Sequence, residues 1–445
     1  MTLQIIKELG DGLVLRRSRP ADADALAEFN SRVHSDNGWD QPEARLAIWT
    51  RDLLNRPHPT FHSEDFTIVE DTNTQQIVSS CNLIPQTWSY GGIEFGVGRP
   101  ELVGTHPSYR NRGLIREQFE VLHQWSAAQG HKMQVITGIP WYYRLFGYEM
   151  TVDLDGGRSG PKHLAPILKP EEEEAYVIRP AEAGDLGFIA EVYEHSLVRQ
   201  LLTVKRDPAL WQYELDGRST GSAAQIALRV IESSDEEPVG FLAHPPMLWD
   251  ATLRVFAYEL RAGTSWLAVT PSVLRYLNAT GEAWAAKSDK HEYQGYRFVF
   301  GRWHPVYDAA APFLPENHPP YSWYVRVADL PDFLHHITPL LEERLADSIA
   351  VGYSGELKLN FFHDGVKLVF AKGKITAVEP WKASARNYSA AFPDKIFLQL
   401  LFGHRTFEEL AYAYTDCFTR SNAPEARPLL EILFPPEHSH PWGIA

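Results

Sequence analysis

Cysteine is nearly absent. Cys81 and Cys417 are the only two in 445 residues, and no Cys-x-x-Cys spacing occurs. That excludes a disulfide framework and a thiolate metal site, and it fits a reducing cytoplasm. Long apolar runs are missing too: no stretch of eighteen apolar residues exists, so no membrane span is expected. The opening MTLQIIKELGDG carries charge too early, and too short an apolar run, for a signal peptide. Basic residues are in deficit, 42 against 57 acidic, for a formal charge of −15. Such a surface repels nucleic acid and anionic membranes and draws small cations toward its clefts. Metal-ligand spacings are lacking as well. His291 and His304 have no acidic or cysteine partner at useful spacing and read as ordinary surface or core histidines.

What is present is material for packed domains. Hydrophobic residues make up 44% and aromatic residues 12%, with 13 Trp, which argues against disorder. A chain this long exceeds one ordinary core. Gly- and Pro-rich GGRSGPKHLAPILKPEEEE (156–174) and proline-dense AAAPFLPENHPPYS (309–322) read as solvated connections. They divide the chain into units at 1–155, 175–310 and 320–445. LVLRRSRPADADALAEFN (13–30) and YVIRPAEAGDLGFIAEVY (176–193) echo each other. Each is a short apolar strand ending in Arg, then Pro-Ala with Asp, then a helix-like run. The echo suggests that the first two units are related. The third opens with helical spacing at Leu334, Ile337, Leu341 and Leu345. A meander follows, with turns at His363-Asp364-Gly365 and Lys372-Gly373, then two short helices about Gly403. This is an α+β unit with its own apolar face.

One stretch carries chemistry. THPSYRNRGLIRE (105–117) places Arg110-Asn111-Arg112-Gly113 between a strand at 101–105 and a helix in which Ile115, Phe119 and Leu122 form a stripe stopped by Gly130. The first amides of a helix lack internal acceptors, so a glycine-containing basic loop at that point suits phosphate. A basic turn that merely opens a surface helix would look the same. Downstream, KMQVITGIPWYYRLFGYEM (132–150) gives a strand, an aromatic turn and a four-residue step from Tyr143 to Gly147.

Arg-x-x-Gly after a strand, followed by Tyr-x-x-x-Gly-aromatic, resembles the Gcn5-related N-acetyltransferase (GNAT) superfamily. The order of the three units and the GELKLNFFHDGVKLVFAKGKI meander make the whole chain similar to its Eis (enhanced intracellular survival) group. The resemblance implies an α+β, mixed α/β architecture of tandem acetyltransferase folds followed by a sterol-carrier-protein-like α+β domain. In it, 1–155 is the catalytic domain, 175–310 a degenerate copy lacking a phosphate loop, and 320–445 the sterol-carrier-like unit.

The resemblance also assigns residues. Arg110, Asn111, Arg112, Gly113, Leu114 and Ile115 would hold the pyrophosphate of acetyl-coenzyme A, although the superfamily prefers Gly or Ala where Ile115 stands. Val103 and Gly104 would offer backbone groups to the pantetheine arm, and Tyr143 would protonate the departing thiolate. Tyr142 is its neighbour, and Tyr148 takes an aromatic packing position. The base would be the terminal carboxylate of Ala445, an ending smaller than the group's usual aromatic one, with Glu101, Glu94, Asp36 or water as alternatives. The implied reaction is direct attack by an amine, of a small cationic molecule or a lysine side chain, within a ternary complex. Trp39 and Trp88 are candidates for lining the acceptor pocket. No metal is implied, and a homo-oligomer, a hexamer built of trimers, is. The rival reading is a non-catalytic binding protein whose C-terminal unit holds an apolar ligand.

Overall fold

The computed structural model describes residues 5–287, 292–382 and 387–445, and His291 lies outside the described residues. Short β-favouring runs separated by Gly- and Asp-containing turns build the first sheet from β1 (Ile5–Gly10), β2 (Leu13–Arg17), β3 (Phe66–Asp71), β4 (Gln76–Tyr90), β5 (Ile93–Thr105), β6 (Met133–Ile136) and β7 (Glu149–Leu154). Alternation along β4 sends successive side chains to opposite faces. Ile84 packs with Leu26, Leu53 and Phe66 under the helices α1 (Ala23–Val33) and α2 (Ala44–Asn55). Cys81 and Leu83 pack with Phe119, Leu122, Tyr143 and Tyr148 under α3 (Leu114–Ala128). The strand expected at 101–105 is the end of the thirteen-residue β5.

The sheet is not closed by the first unit alone. A strand from much later in the chain, Tyr321–Val327, is inserted between β6 and β7 and pairs antiparallel with both. In exchange, β8 (Gly157–Pro161) leaves the first unit for the second. Much of what reads as solvated linker is therefore ladder: β8 lies within 156–174, and residues 316–318 of the proline-dense stretch pair with it. Glycine is required there because a Cβ on Gly295 would lie 2.1 Å from the Gly160 carbonyl oxygen, and one on Gly160 would lie 2.1 Å from that of Phe313.

A second unit follows. It comprises β9 (Tyr176–Pro180), α4 (Leu186–Ser196), β10 (Leu202–Val204), α5 (Pro208–Gln212), β11 (Ala227–Ser233), β12 (Pro238–His244), β13 (Thr252–Val255), β14 (Ala257–Leu260), α6 (Trp266–Ala285) and β15 (Gly295–Phe298). Strand β10 pairs with β4 of the first sheet. The echo seen in the sequence is a shared ion triad. In the first unit the Arg16 guanidinium donates to Asp22 at 2.8 Å and to Glu70 at 2.6 Å. In the second, Arg179 donates to Asp185 at 2.7 Å and to Glu232 at 2.8 Å. Helix α6 is capped by Ser265, whose hydroxyl accepts the Ala268 amide, and carries Pro271 within it.

The C-terminal third forms the expected meander, β16 (Glu316–His318) and β17 (Tyr321–Val327) being followed by β18 (Gly355–Asn360), β19 (Gly365–Ala371) and β20 (Lys374–Pro380). Its core is not its own. Leu334, Ile337, Leu341, Leu357, Leu368 and Phe397 form one buried cluster with Trp88, Tyr90, Val97 and Met133 of the first sheet. From Pro435 the chain returns as an irregular tail along the second unit and ends against the first.

Candidate active site

Strands β5 and β6 run parallel but pair only at Val97–Met133 and Gly98–Gln134. Beyond Gly98 they part. At that level β5 also loses register with β4: Ser80 faces Gly104 and Asn82 faces Glu101, so Leu102 and Val103 oppose Cys81 alone. Leu102 takes the left-handed conformation at φ 51°, the signature of a bulge that re-aims backbone groups. The bulge points Val103 toward the α3 face. Gly104 needs its missing side chain, since a Cβ there would lie 2.6 Å from Val33 of α1.

The loop 106–113 closes one end of this cleft. Tyr109 fixes it by donating its hydroxyl to Asp71 at 2.7 Å. Asn111 and Gly113 are both left-handed, at φ 63° and 77°, and Gly113 is the N-cap of α3. No side chain caps that helix, so its first amides (Leu114, Ile115, Arg116) face outward without an acceptor among the described residues. Arg110 and Arg112 are exposed at the rim, Arg112 lying 4.9 Å over the Tyr109 ring. Unaccepted amides, the positive end of a fifteen-residue helix and two guanidinium groups without an acidic partner among the described residues fit a pyrophosphate. The second unit contrasts on both counts. Ser265 caps α6, and the space beside Tyr258, Glu259 and Phe300 is filled by His438, His440 and Trp442 of the tail, leaving a cavity of about 50 Å³.

Tyr143 lies on a short 3₁₀ turn, Tyr142–Phe146, entered through left-handed Trp141 and left through left-handed Gly147. The inserted strand β17 supports this turn, because the Tyr324 hydroxyl accepts the Trp141 amide. Tyr143 is buried, 5.5 Å from the Tyr324 ring and stacked at 6.0 Å on Phe119. Its hydroxyl has no hydrogen-bond partner among the described residues and is not sealed from solvent. Burial, then the charge of Glu101, holds its phenol well above the usual tyrosine range, so it keeps its proton. Tyr142 is half-buried, and Tyr148 is packed away with its hydroxyl 3.0 Å from His123 Nε2.

The chain's end arrives on the α1/α2 face. Gln86 and Arg99 both donate to the Ile444 carbonyl, at 2.8 and 2.6 Å. Arg218 donates to the Ala445 oxygen at 2.6 Å, and Ala445 packs beside Ala223 and Ala224 against the Leu53 cluster. Arg99 also pairs with Glu101, which links the tail to the bulge. His34, at the end of α1, faces the same bulge; burial lowers its pKa, against the pull of Glu101 and the Leu102 backbone, which keeps the ring neutral. Fully buried Asn82 has both amide atoms unpartnered.

Of the other candidates, Glu101 stands at the bulge, whereas Glu94 is exposed at the far end of β5, beside Lys205. Asp36 is exposed. Trp39 packs edge-on against His106, 4.3 Å away, near the loop. Trp88 does not line the cleft: it is fully buried and braces Gln86 through its indole N–H, at 2.9 Å. His304 is a core histidine 3.4 Å from Glu259. Gln86, Arg99 and Arg218 carry no motif, and only the folded chain brings them together at its end. Among the described residues no group of three or more His, Cys, Asp or Glu side chains is arranged to hold a metal ion, and no helix is long and apolar enough to cross a membrane.

Residues 15–151 match the family model of the acetyltransferase (GNAT) domain. No curated protein sequence matches the chain. Among solved structures, a probable N-acyltransferase of unknown function from Enterococcus faecalis shares the fold at 13% identity and a TM-score of 0.66, over 96% of this chain and 97% of that one. A GCN5-related N-acetyltransferase from Anabaena variabilis does so at 16% identity and 0.62, over 97% and 98%. Eis1 from Mycobacterium abscessus does so at 12% and 0.58, over 96% and 99%. The chain thus has an α+β fold shared with GNAT acetyltransferases across nearly its whole length. None of these matches singles out a sterol-carrier-like unit at its C-terminal end.

Proposed function

We propose that the chain is an acetyl-coenzyme A-dependent N-acetyltransferase acting on a small cationic amine or a lysine side chain. The uncapped N-terminus of α3, at the mouth of the parted β5 and β6, carries this reading. Backbone amides of Gly113 to Ile115, with Arg110, Asn111 and Arg112 at the rim, hold the pyrophosphate, and Val103 and Gly104 at the bulge meet the pantetheine arm. Acetyl-coenzyme A supplies the activated acetyl group. Within the site, the carboxylate of Ala445 takes a proton from the incoming ammonium, whose solution pKa near ~10 otherwise leaves it charged at neutral pH. As the new C–N bond forms and the C–S bond breaks, the Tyr143 hydroxyl gives its proton to the leaving sulfur, and the surplus proton of the new amide nitrogen returns to the Tyr143 oxygen. The first unit supplies the chemistry, and the second is a degenerate copy whose own cleft is occupied by the tail.

Isothermal titration with acetyl-coenzyme A and thiol release over a panel of polyamine, aminoglycoside and lysine-peptide acceptors test the reading. Binding with turnover of at least one acceptor is expected. No binding at high micromolar cofactor overturns it, and binding without turnover across the panel favours a sensor.

A further inference from the structure

The second unit meets the α1/α2 face of the first beside the end of the chain. A single π turn, Tyr213–Gly217, follows α5, and such turns concentrate at functional sites. It ends on Arg218, which is almost wholly buried. Burying a guanidinium is costly unless its charge is met. Arg218 pairs with Glu214, but that carboxylate is shared, since Arg206 lies 3.8 Å from its other oxygen. The second partner of Arg218 is the main-chain oxygen of Ala445, at 2.6 Å. Around the pair, Asp52 is committed to Ser219, accepting from its amide and hydroxyl, and Arg56 donates to the Gly217 carbonyl. Tyr213 lies under the guanidinium at 4.6 Å, with the His58 ring against it at 4.5 Å. The turn is thus docked rigidly on α2, and Arg218 has a fixed address.

We infer that Arg218 is a positioning residue of the acyl-transfer site: supplied by the second unit, it orients the carboxylate of Ala445. Arg99 and Gln86 hold the preceding carbonyl from the first unit, so the last two residues are gripped from both sides. The degenerate unit keeps a role in catalysis without a cofactor site of its own. The inference rests on reading the Ala445 carboxylate as the base.

Three full-length variants test it: Arg218→Gln, a glycine appended after Ala445, and both together, with Arg218→Lys as the conservative control. Arg218→Gln should lower kcat roughly ten- to a hundredfold, the range for losing a charged hydrogen bond, with acetyl-coenzyme A affinity unchanged. The appended glycine should do the same while leaving Arg218 untouched. Because both changes break one interaction, the double variant should be no slower than the worse single one. Arg218→Lys should recover part of the loss. Independently of turnover, carboxypeptidase A should release Ala445 faster from Arg218→Gln than from the wild type. Losses that multiply, an unchanged kcat in Arg218→Gln, or unchanged release of Ala445 would each overturn the inference. If the wild type acetylates no acceptor, the proposed function fails, and the release rates still decide whether Arg218 anchors the tail.

Discussion

Replacing Tyr143 with phenylalanine removes one oxygen from a side chain only 4% exposed. That hydroxyl has no protein hydrogen bond to lose, and the ring contacts with Phe119, Tyr142 and Tyr324 survive the change. Stability should therefore move by less than about 1 kcal/mol. Loss of a general acid lowers turnover by about 10²–10⁴, which is roughly 3–5 kcal/mol of barrier. Tyr148→Phe is the control, because it does break a partly buried hydrogen bond, to His123, whose imidazole burial pulls down to about 3. It should cost about 1–2 kcal/mol of stability, a melting shift of a few degrees, and little turnover. The pH behaviour follows from the sign of the shift. Tyr143 is an acid held above its usual range by burial, so its contribution to stability is complete below the ordinary phenol pKa of about 10 and is lost above it. Between about pH 6 and 9, kcat should show no limb from Tyr143. Thiol release and thermal unfolding of both variants measure this. A fully active Tyr143→Phe, or a loss of rate explained by unfolding, would refute the assignment.

The remaining expectations are simpler. Gly113→Val meets no neighbour within 4 Å but must adopt φ 77°, costing about 1–2 kcal/mol, and should weaken acetyl-coenzyme A binding in titration while circular dichroism is unchanged. Arg16→Met leaves Glu70 unpaired and Asp22 with only Arg19 as a partner, and should cost about 3 kcal/mol in urea unfolding. Arg179→Met, in the matching triad, should cost only about 1 kcal/mol, because its side chain is 31% exposed and solvent screens the loss. Ending the chain at residue 310 removes β17 from between β6 and β7 of the first sheet, and the truncated protein should be recovered insoluble.

Local order was legible where a short segment decides its own conformation. The Arg110–Gly113 loop, the α3 stripe, the meander turns and the Tyr143–Gly147 step are each set within a few residues by glycine's left-handed freedom or by apolar spacing. The Arg16 and Arg179 echo was legible for the same reason, since each Asp partner lies six residues downstream of its Arg. The exchange of β8 and β17 was not, because strand pairing partners are chosen by burial and edge completion rather than by sequence distance. The prolines that read as linker stand beside ladder residues that had no local partner. Trp88 was misplaced for a similar reason: alternation gives its face, but only the second layer of helices beneath that face makes it core.

The same exchange explains why the C-terminal third cannot act as a detachable module. β17 brings Tyr324, which accepts the Trp141 amide and so fixes the turn that carries Tyr143. The tail that leaves this third runs through the second unit's cleft, where Trp442 lies under Arg206 at 4.0 Å, before Ile444 is buried and Ala445 reaches Arg218. The two candidate proton-handling groups, Tyr143 and Ala445, are thus set by contacts distant in sequence, Trp141 to Tyr324 across 183 residues and Gln86 to Ile444 across 358. A displacement of the third relative to the first sheet would move both together. The buried cluster joining Trp88, Val97 and Met133 to Leu334, Leu357 and Phe397 opposes that displacement, and so couples the packing of the whole chain to the geometry of its site.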